Sequence, residues 1–176
     1  MKKLALLMGA LLFSGNLYAL DTVSVEFGNG NATDMARIGA GWDWGKQWFT
    51  DGEWLVTGFW EASIGTWRGN STVGNNRTIT DIGVTPVFRL QQKNMGSFAP
   101  YAEAAIGFHI ISPTFIYANR QFGSAFQFGD HLGLGVRFGE RRQFDFAYRY
   151  QHLSNGGIKQ PNQGINFSQV RFAYRF

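Results

Sequence analysis

The chain has 176 residues, with 23 glycines, 4 prolines, no cysteine, 16 % aromatic side chains and a formal net charge of +4. The lack of cysteine excludes a disulfide framework, a thiolate metal site, a thiol nucleophile and a lipobox anchor. The basic residues lie singly along alternating segments with no Lys/Arg cluster. That pattern argues for dispersed surface or interior charge and against a nucleic-acid partner.

The chain opens with Lys2 and Lys3, an apolar stretch from Leu4 to Phe13, and a small residue at Ala19. This is the pattern of a secretory signal peptide, residues 1–19, cut after Ala19 and leaving one domain at residues 20–176. The apolar run is short for a membrane-spanning helix, and no later stretch reaches the ~18 to 20 apolar residues a helix needs.

From there the chain alternates. Thr22 to Gly28 sets Val23, Val25 and Phe27 against Ser24 and Glu26. Met35 to Trp44 sets Ala36, Ile38, Ala40, Trp42 and Trp44 against Arg37 and Asp43, with a break expected near Gly45 to Gly52. In Trp54 to Trp67, Trp54, Val56, Trp60 and Ile64 oppose Glu61 and Ser63. Thr78 to Leu90 opposes Ile82, Val84, Phe88 and Leu90 to Asp81 and Arg89, with Pro86 marking a bulge or a weak point of the ladder. Phe98 to Ile111 carries Glu103 and His109 opposite Ile106, Phe108 and Ile110. The following break, Ser112 to Gly123, is apolar and suits a segment folded over a rim or lying at a membrane surface. Ser124 to Phe138 carries Gln127, His131 and Arg137 on one face, while Asp130 falls among Phe128, Leu132 and Leu134 on the other. The last two segments, Arg142 to Ser154 and Ile165 to Phe176, flank the polar run Asn155 to Gly164.

Period-two alternation over such lengths predicts eight antiparallel strands, and the longer breaks at every other connection predict a transmembrane up-and-down β-barrel. A soluble eight-stranded barrel of the lipocalin kind is the competing architecture, with its apolar face inward. Three features favour the membrane form. The second face carries Glu61, Asp81, Arg89, Glu103, Arg137, Asp145, Arg149, Arg171 and Arg175, which can pair in a small polar interior. Trp42, Trp44, Trp54 and Trp60 share the apolar face, as aromatic girdles require. The chain ends on an aromatic segment closing at Phe176, which resembles the C-terminal signature that the outer-membrane barrel assembly machinery recognises. With the N-terminus of the domain on the periplasmic side, the seventh strand runs outward. His152 and Ser154 then sit in the outer leaflet facing lipid, and Asn155 to Gly164 is an extracellular loop. A rough pairing of the closing hairpin sets Asn166 near Ser154 and Ser168 near His152, gathering four polar side chains on an apolar wall.

That cluster has the parts of an esterase. His152 and Ser154 at i and i+2 share a strand face, so the imidazole can deprotonate the hydroxyl for attack on an ester carbonyl. Asn166 can orient the imidazole through its amide oxygen. Asn155 and the backbone N–H groups of Gly156 and Gly157 are candidates for the oxyanion site. Asp130, counted back across the short turn, lies near the height of Tyr150 and His152 and is an alternative acid. His109 and His131 point inward and read as members of an interior polar network. Arg68, Arg77, Arg120 and Lys159 fall in the outer loops, as lipid phosphate contacts or as ordinary solubilising charge.

The run His152 to Asn166, HLSNGGIKQPNQGIN, resembles the active-site hairpin of the outer-membrane lipid A 3-O-deacylases, the PagL family. The resemblance implies an eight-stranded barrel that hydrolyses the 3-position ester of lipid A, releasing a 3-hydroxy fatty acid by a serine hydrolase mechanism with no cofactor. It implies that His152 and Ser154 are the catalytic pair, that Asn155 is linked to the oxyanion site, and that Pro161, Asn162 and Gly164 match a family element. The family's triad glutamate, fourteen residues after the histidine, is Asn166 here. Implied partners are lipopolysaccharide in the membrane and the barrel assembly machinery; monomer and homodimer both remain open. Two other functions are compatible with a barrel: a non-catalytic structural or adhesion protein, and an acyltransferase. The charged inward face opposes the latter, which needs an internal apolar pocket.

Overall fold

The computed structural model describes residues 19–176, so the expected signal peptide lies outside the described residues except for Ala19. The strands are β1 (Thr22–Asn29), β2 (Thr33–Trp48), β3 (Trp54–Gly69), β4 (Thr78–Gln92), β5 (Phe98–Ser112), β6 (Phe115–Tyr117), β7 (Arg120–Gln121), β8 (Phe126–Phe138), β9 (Phe144–Ser154) and β10 (Ile165–Arg175). Eight of them close antiparallel in the order β1-β10-β9-β8-β5-β4-β3-β2, and β6 and β7 form a separate two-stranded finger. Closure leaves no unpaired barrel edge, which hydrocarbon requires.

The alternation resolves into two unlike faces. Outward Leu132 and Leu134 are 70 % and 69 % exposed, whereas inward Arg149 and Arg171 are each 1 % exposed. The lipocalin arrangement is therefore inverted: the apolar surface is on the outside, where only lipid can cover it. Within the barrel, Arg149 Nη1 meets Glu26 at 2.6 Å and Glu61 at 2.8 Å, and its Nε meets Glu103 at 2.6 Å. Arg37 bridges Glu26 and Asp81, and Arg89 bridges Glu103 and Asp145. His109 Nδ1 lies 2.8 Å from Asp81, and His131 lies 3.7 Å from Glu103, so both histidines belong to this network. The interior is filled by paired charge.

Toward the periplasmic end Trp44 sits edge-on to Trp48, Trp60 and Phe88, and another aromatic group joins Phe138, Phe144, Phe172, Tyr174 and Phe176. At the outer end the lumen lining turns apolar. Met35, Trp67, Ile79, Ile111, Leu153, Ile165 and Phe167 cluster with Ile116, Tyr117 and Phe122 from the finger region. The apolar break thus folds over the rim and caps the polar interior, since its greasy side chains find their cover inside the barrel mouth rather than in lipid.

Three local expectations are sharpened. β2 does not stop at Trp44 but runs to Trp48 across an irregularity between Asp43 and Gln47, where Gly45 has φ +64°. Pro86 makes no bulge; it pairs with Trp60 on β3, while the β4–β5 ladder skips from Val84 to Val87. Proline has no N–H to give that ladder. In the closing hairpin Asn166 pairs with His152 and Ser168 with Tyr150, two residues from the rough pairing expected. The ten-residue loop fixes register by its own folded shape, which alternation alone does not reveal.

Candidate active site on the outer face of the closing hairpin

His152 and Ser154 lie at the outer end of β9, both half-buried and both pointing to the lipid side. His152 stands between two polar cross-strand neighbours, Asn166 on β10 and Asp130 on β8. Its Nδ1 lies 2.7 Å from Asn166 Oδ1. An amide oxygen only accepts, so Nδ1 carries a proton, and in the neutral ring Nε2 keeps its lone pair. This is the tautomer a general base requires. Ser154 Oγ is hydrogen-bonded to neither His152 nor Asn166; catalytic hydrogen bonds commonly close only when substrate is seated.

Asp130 is exposed and level with His152, two residue pairs below the outermost rung, Phe128 with Ser154. At this depth an outward carboxylate costs little, because the penalty falls off near the interface. Its carboxylate makes no hydrogen bond to His152, which leaves Asn166 holding the ring. Phe128 also packs edge-on to Phe126 and lies 6.1 Å from Phe108, so an aromatic surface borders Ser154 on the β8 side.

The loop after Ser154 is built around Asn155, which is fully buried. Asn155 Oδ1 accepts from Gly157 N–H at 3.0 Å, its Nδ2 donates to Lys159 O at 2.6 Å, and its own N–H donates to Asn162 Oδ1 at 3.0 Å. Asn155 is thus turned into the loop, and the Gly157 N–H is occupied. The Gly156 N–H has no partner among the described residues. Gly156 and Gly157 have φ +65° and +82°, a left-handed pair that glycine adopts without penalty.

Gly164 closes the loop against the imidazole. A Cβ there would stand 2.8 Å from His152 Cε1, so the ring rests on a bare Cα. Two distant segments hold this end. Asn31 Oδ1, in the β1–β2 turn, accepts from Asn166 N–H at 2.9 Å, and Arg120 on β7 donates to Gly164 O. The sequence reading missed Asn31 altogether. It is 135 residues from Asn166, and no local pattern joins them. Of the outer-loop cations, Arg120 reaches the site, while Arg68 and Arg77 border a separate cleft at the β3–β4 end.

The family model described as lipid A 3-O-deacylase (PagL) matches residues 25–175. A lipid A deacylase PagL of Pseudomonas aeruginosa is 31 % identical over 147 residues, covering 84 % of this chain and 81 % of that protein. One from Bordetella bronchiseptica is 45 % identical over 76 residues, 43 % of this chain and 41 % of that one. A crystal structure of the outer membrane enzyme PagL superposes with a TM-score of 0.78 at 29 % identity, over 88 % of this chain and 99 % of the other. The outward apolar belt, the ion-paired lumen and these likenesses agree on an outer-membrane barrel. The chain belongs to the lipid A 3-O-deacylase (PagL) family.

Proposed function

We propose that the protein is an outer-membrane esterase that removes the 3-O-linked hydroxyacyl chain of lipid A in the outer leaflet by a serine hydrolase mechanism. Ser154 Oγ attacks the ester carbonyl carbon as His152 Nε2 takes its proton. The C–O bond to the sugar then breaks, and the imidazolium protonates the departing oxygen. Water, deprotonated by the same imidazole, attacks the acyl-serine; the acyl C–Oγ bond breaks, the imidazolium returns its proton to Ser154 Oγ, and the 3-hydroxy fatty acid leaves. Asn166 fixes the tautomer, and Asp130 remains the alternative acid. For the oxyanion, Asn155 holds the loop so that the Gly156 N–H stays available. The observation that carries this reading is the bond between His152 Nδ1 and Asn166 Oδ1, formed on the lipid face two residues from Ser154.

The competing reading as an acyltransferase has little support, since buried ion pairs occupy the interior where an acyl chain would lie. A non-catalytic barrel is opposed by the match to the lipid A 3-O-deacylase family. The test is mass spectrometry of lipid A from a host lacking such an activity. Expression is expected to remove one 3-hydroxyacyl chain, and His152→Ala and Ser154→Ala are expected to abolish the change. Unaltered lipid A beside a folded, inserted barrel sinks the proposal.

A further inference from the structure

His152 lies on the outside of the barrel, so core packing does not hold its ring. What holds it is the segment 164–166, whose backbone carries the Asn166 side chain that accepts through Oδ1 at one nitrogen and sets the bare Gly164 Cα against Cε1. That backbone belongs to a closed circuit of hydrogen bonds. Arg120 donates through Nη1 to Gly164 O and through Nε, at 3.0 Å, to Tyr117 Oη. The Tyr117 hydroxyl donates to Asn31 O at 2.8 Å, and Asn31 Oδ1 receives the Asn166 N–H at 2.9 Å. The donor and acceptor roles are consistent around the ring: the one hydroxyl accepts once and donates once. Gly123 braces the same finger against the loop, its N–H donating to Pro161 O at 2.6 Å, where a Cβ would stand 2.4 Å from Lys159 O.

We propose that Arg120 is a positioning residue for His152, acting through the Gly164 carbonyl rather than on the substrate. The inference rests on His152 being the base. Arg120 suits the role because its planar fork makes two bonds in fixed directions, one to the finger's own tyrosine and one to the loop. Without it the Gly164 carbonyl loses its cation and the surface under the imidazole is free to shift. A displacement of about 1 Å in a catalytic group costs on the order of 100-fold in rate. Because Arg120 lies outside the barrel sheet and outside the buried apolar cluster, the defect is expected to fall on catalysis and to leave the barrel intact.

An outer-loop arginine is also a natural contact for a lipid A phosphate, and the experiment separates the two roles. Full-length mature protein, wild type, Arg120→Ala and Arg120→Lys, is assayed on bisphosphorylated lipid A and on a neutral p-nitrophenyl 3-hydroxyacyl ester in mixed micelles. Heat-modifiable gel mobility reports the folded barrel. Arg120→Ala is expected to lower kcat about 10- to 100-fold on both substrates with KM within about twofold. Arg120→Lys, which keeps the charge and one donor, is expected to recover part of the loss on both. If KM for lipid A rises while kcat and the neutral ester are unaffected, Arg120 is a phosphate contact and the proposal fails. Unchanged kinetics also overturn it. Should Arg120→Ala not run as a folded barrel, the kcat of Arg120→Lys on the neutral ester decides alone: reduced kcat supports positioning, wild-type kcat refutes it. His152→Ala is the control for the underlying reading. An active His152→Ala removes the base assignment itself, whereas an inactive His152→Ala beside a fully active Arg120→Ala defeats only the role of Arg120.

Discussion

Replacing Asn166 tests the third member of the site. Among the described residues its Oδ1 is the only acceptor on His152 Nδ1, at 2.7 Å. In Asn166→Ala the ring loses one neutral hydrogen bond, worth about 0.5 to 1.5 kcal/mol net, or up to about tenfold in rate. It also becomes free to adopt the other tautomer and to rotate. Enforcing the wrong tautomer in a serine protease costs about 10⁴-fold. Alanine enforces neither tautomer, so the expected loss in kcat/KM lies between, at about 10- to 100-fold. Asn166→Glu acts in the opposite direction. A carboxylate at this position favours the imidazolium, so the plateau rate rises, and the acid limb of the pH–rate profile moves to higher pH because protonation sets in earlier. The assay is the initial rate of 3-hydroxy fatty acid release from lipid A micelles across a pH series. An Asn166→Ala protein within about twofold of wild type, paired with a large loss in Asp130→Asn, refutes the reasoning and moves the orienting role to Asp130.

Two other expectations concern the barrel and its processing. Arg149 is buried among Glu26, Glu61 and Glu103; Arg149→Leu leaves these carboxylates facing one another and is expected to destabilise the barrel by at least about 3 to 5 kcal/mol in urea unfolding from lipid vesicles, a loss under ~1 kcal/mol being the contrary result. Cleavage after Ala19 predicts that protein taken from outer membranes has the intact mass of a chain starting at Leu20; a mass that retains residues 1–19 contradicts it.

The barrel was legible because a transmembrane strand must keep one face apolar and one polar along its whole length, and that constraint is written residue by residue. The inward parity of Glu61, Arg89 and Arg149 and the outward parity of Leu132 and Leu134 needed only period two. The apolar outer third of the lumen was less legible. Trp67, Leu153, Ile165 and Phe167 have the parity of the charged face, and only the finger's Ile116, Tyr117 and Phe122 explain why they are greasy. The proposed catalytic pair was visible because His152 and Ser154 break an aromatic stripe two residues apart. Its surroundings were not. Loop conformation set the register that brings Asn166 to His152, and the turn at Asn31 reaches the site through barrel closure, which joins the first strand to the last.

The filled lumen bears on where chemistry can occur. Arg37, Arg89, Arg149 and Arg171 and their carboxylates fill the middle of the barrel, so the proposed mechanism meets an acyl ester of the outer leaflet on the wall. A side chain on that wall has lipid on its free side and sheet behind it. Its orientation comes from neighbours along the sheet and from loops bent over the rim. On the proposed mechanism this separates the determinants of stability from those of catalysis. Substitutions among the buried ion pairs are expected to be felt in unfolding, and substitutions at Gly164, Asn31 or Arg120 in kcat. The geometry at His152 follows that division: one acceptor from the adjacent strand, one glycine beneath the ring, and a cation in the finger that anchors the glycine's carbonyl.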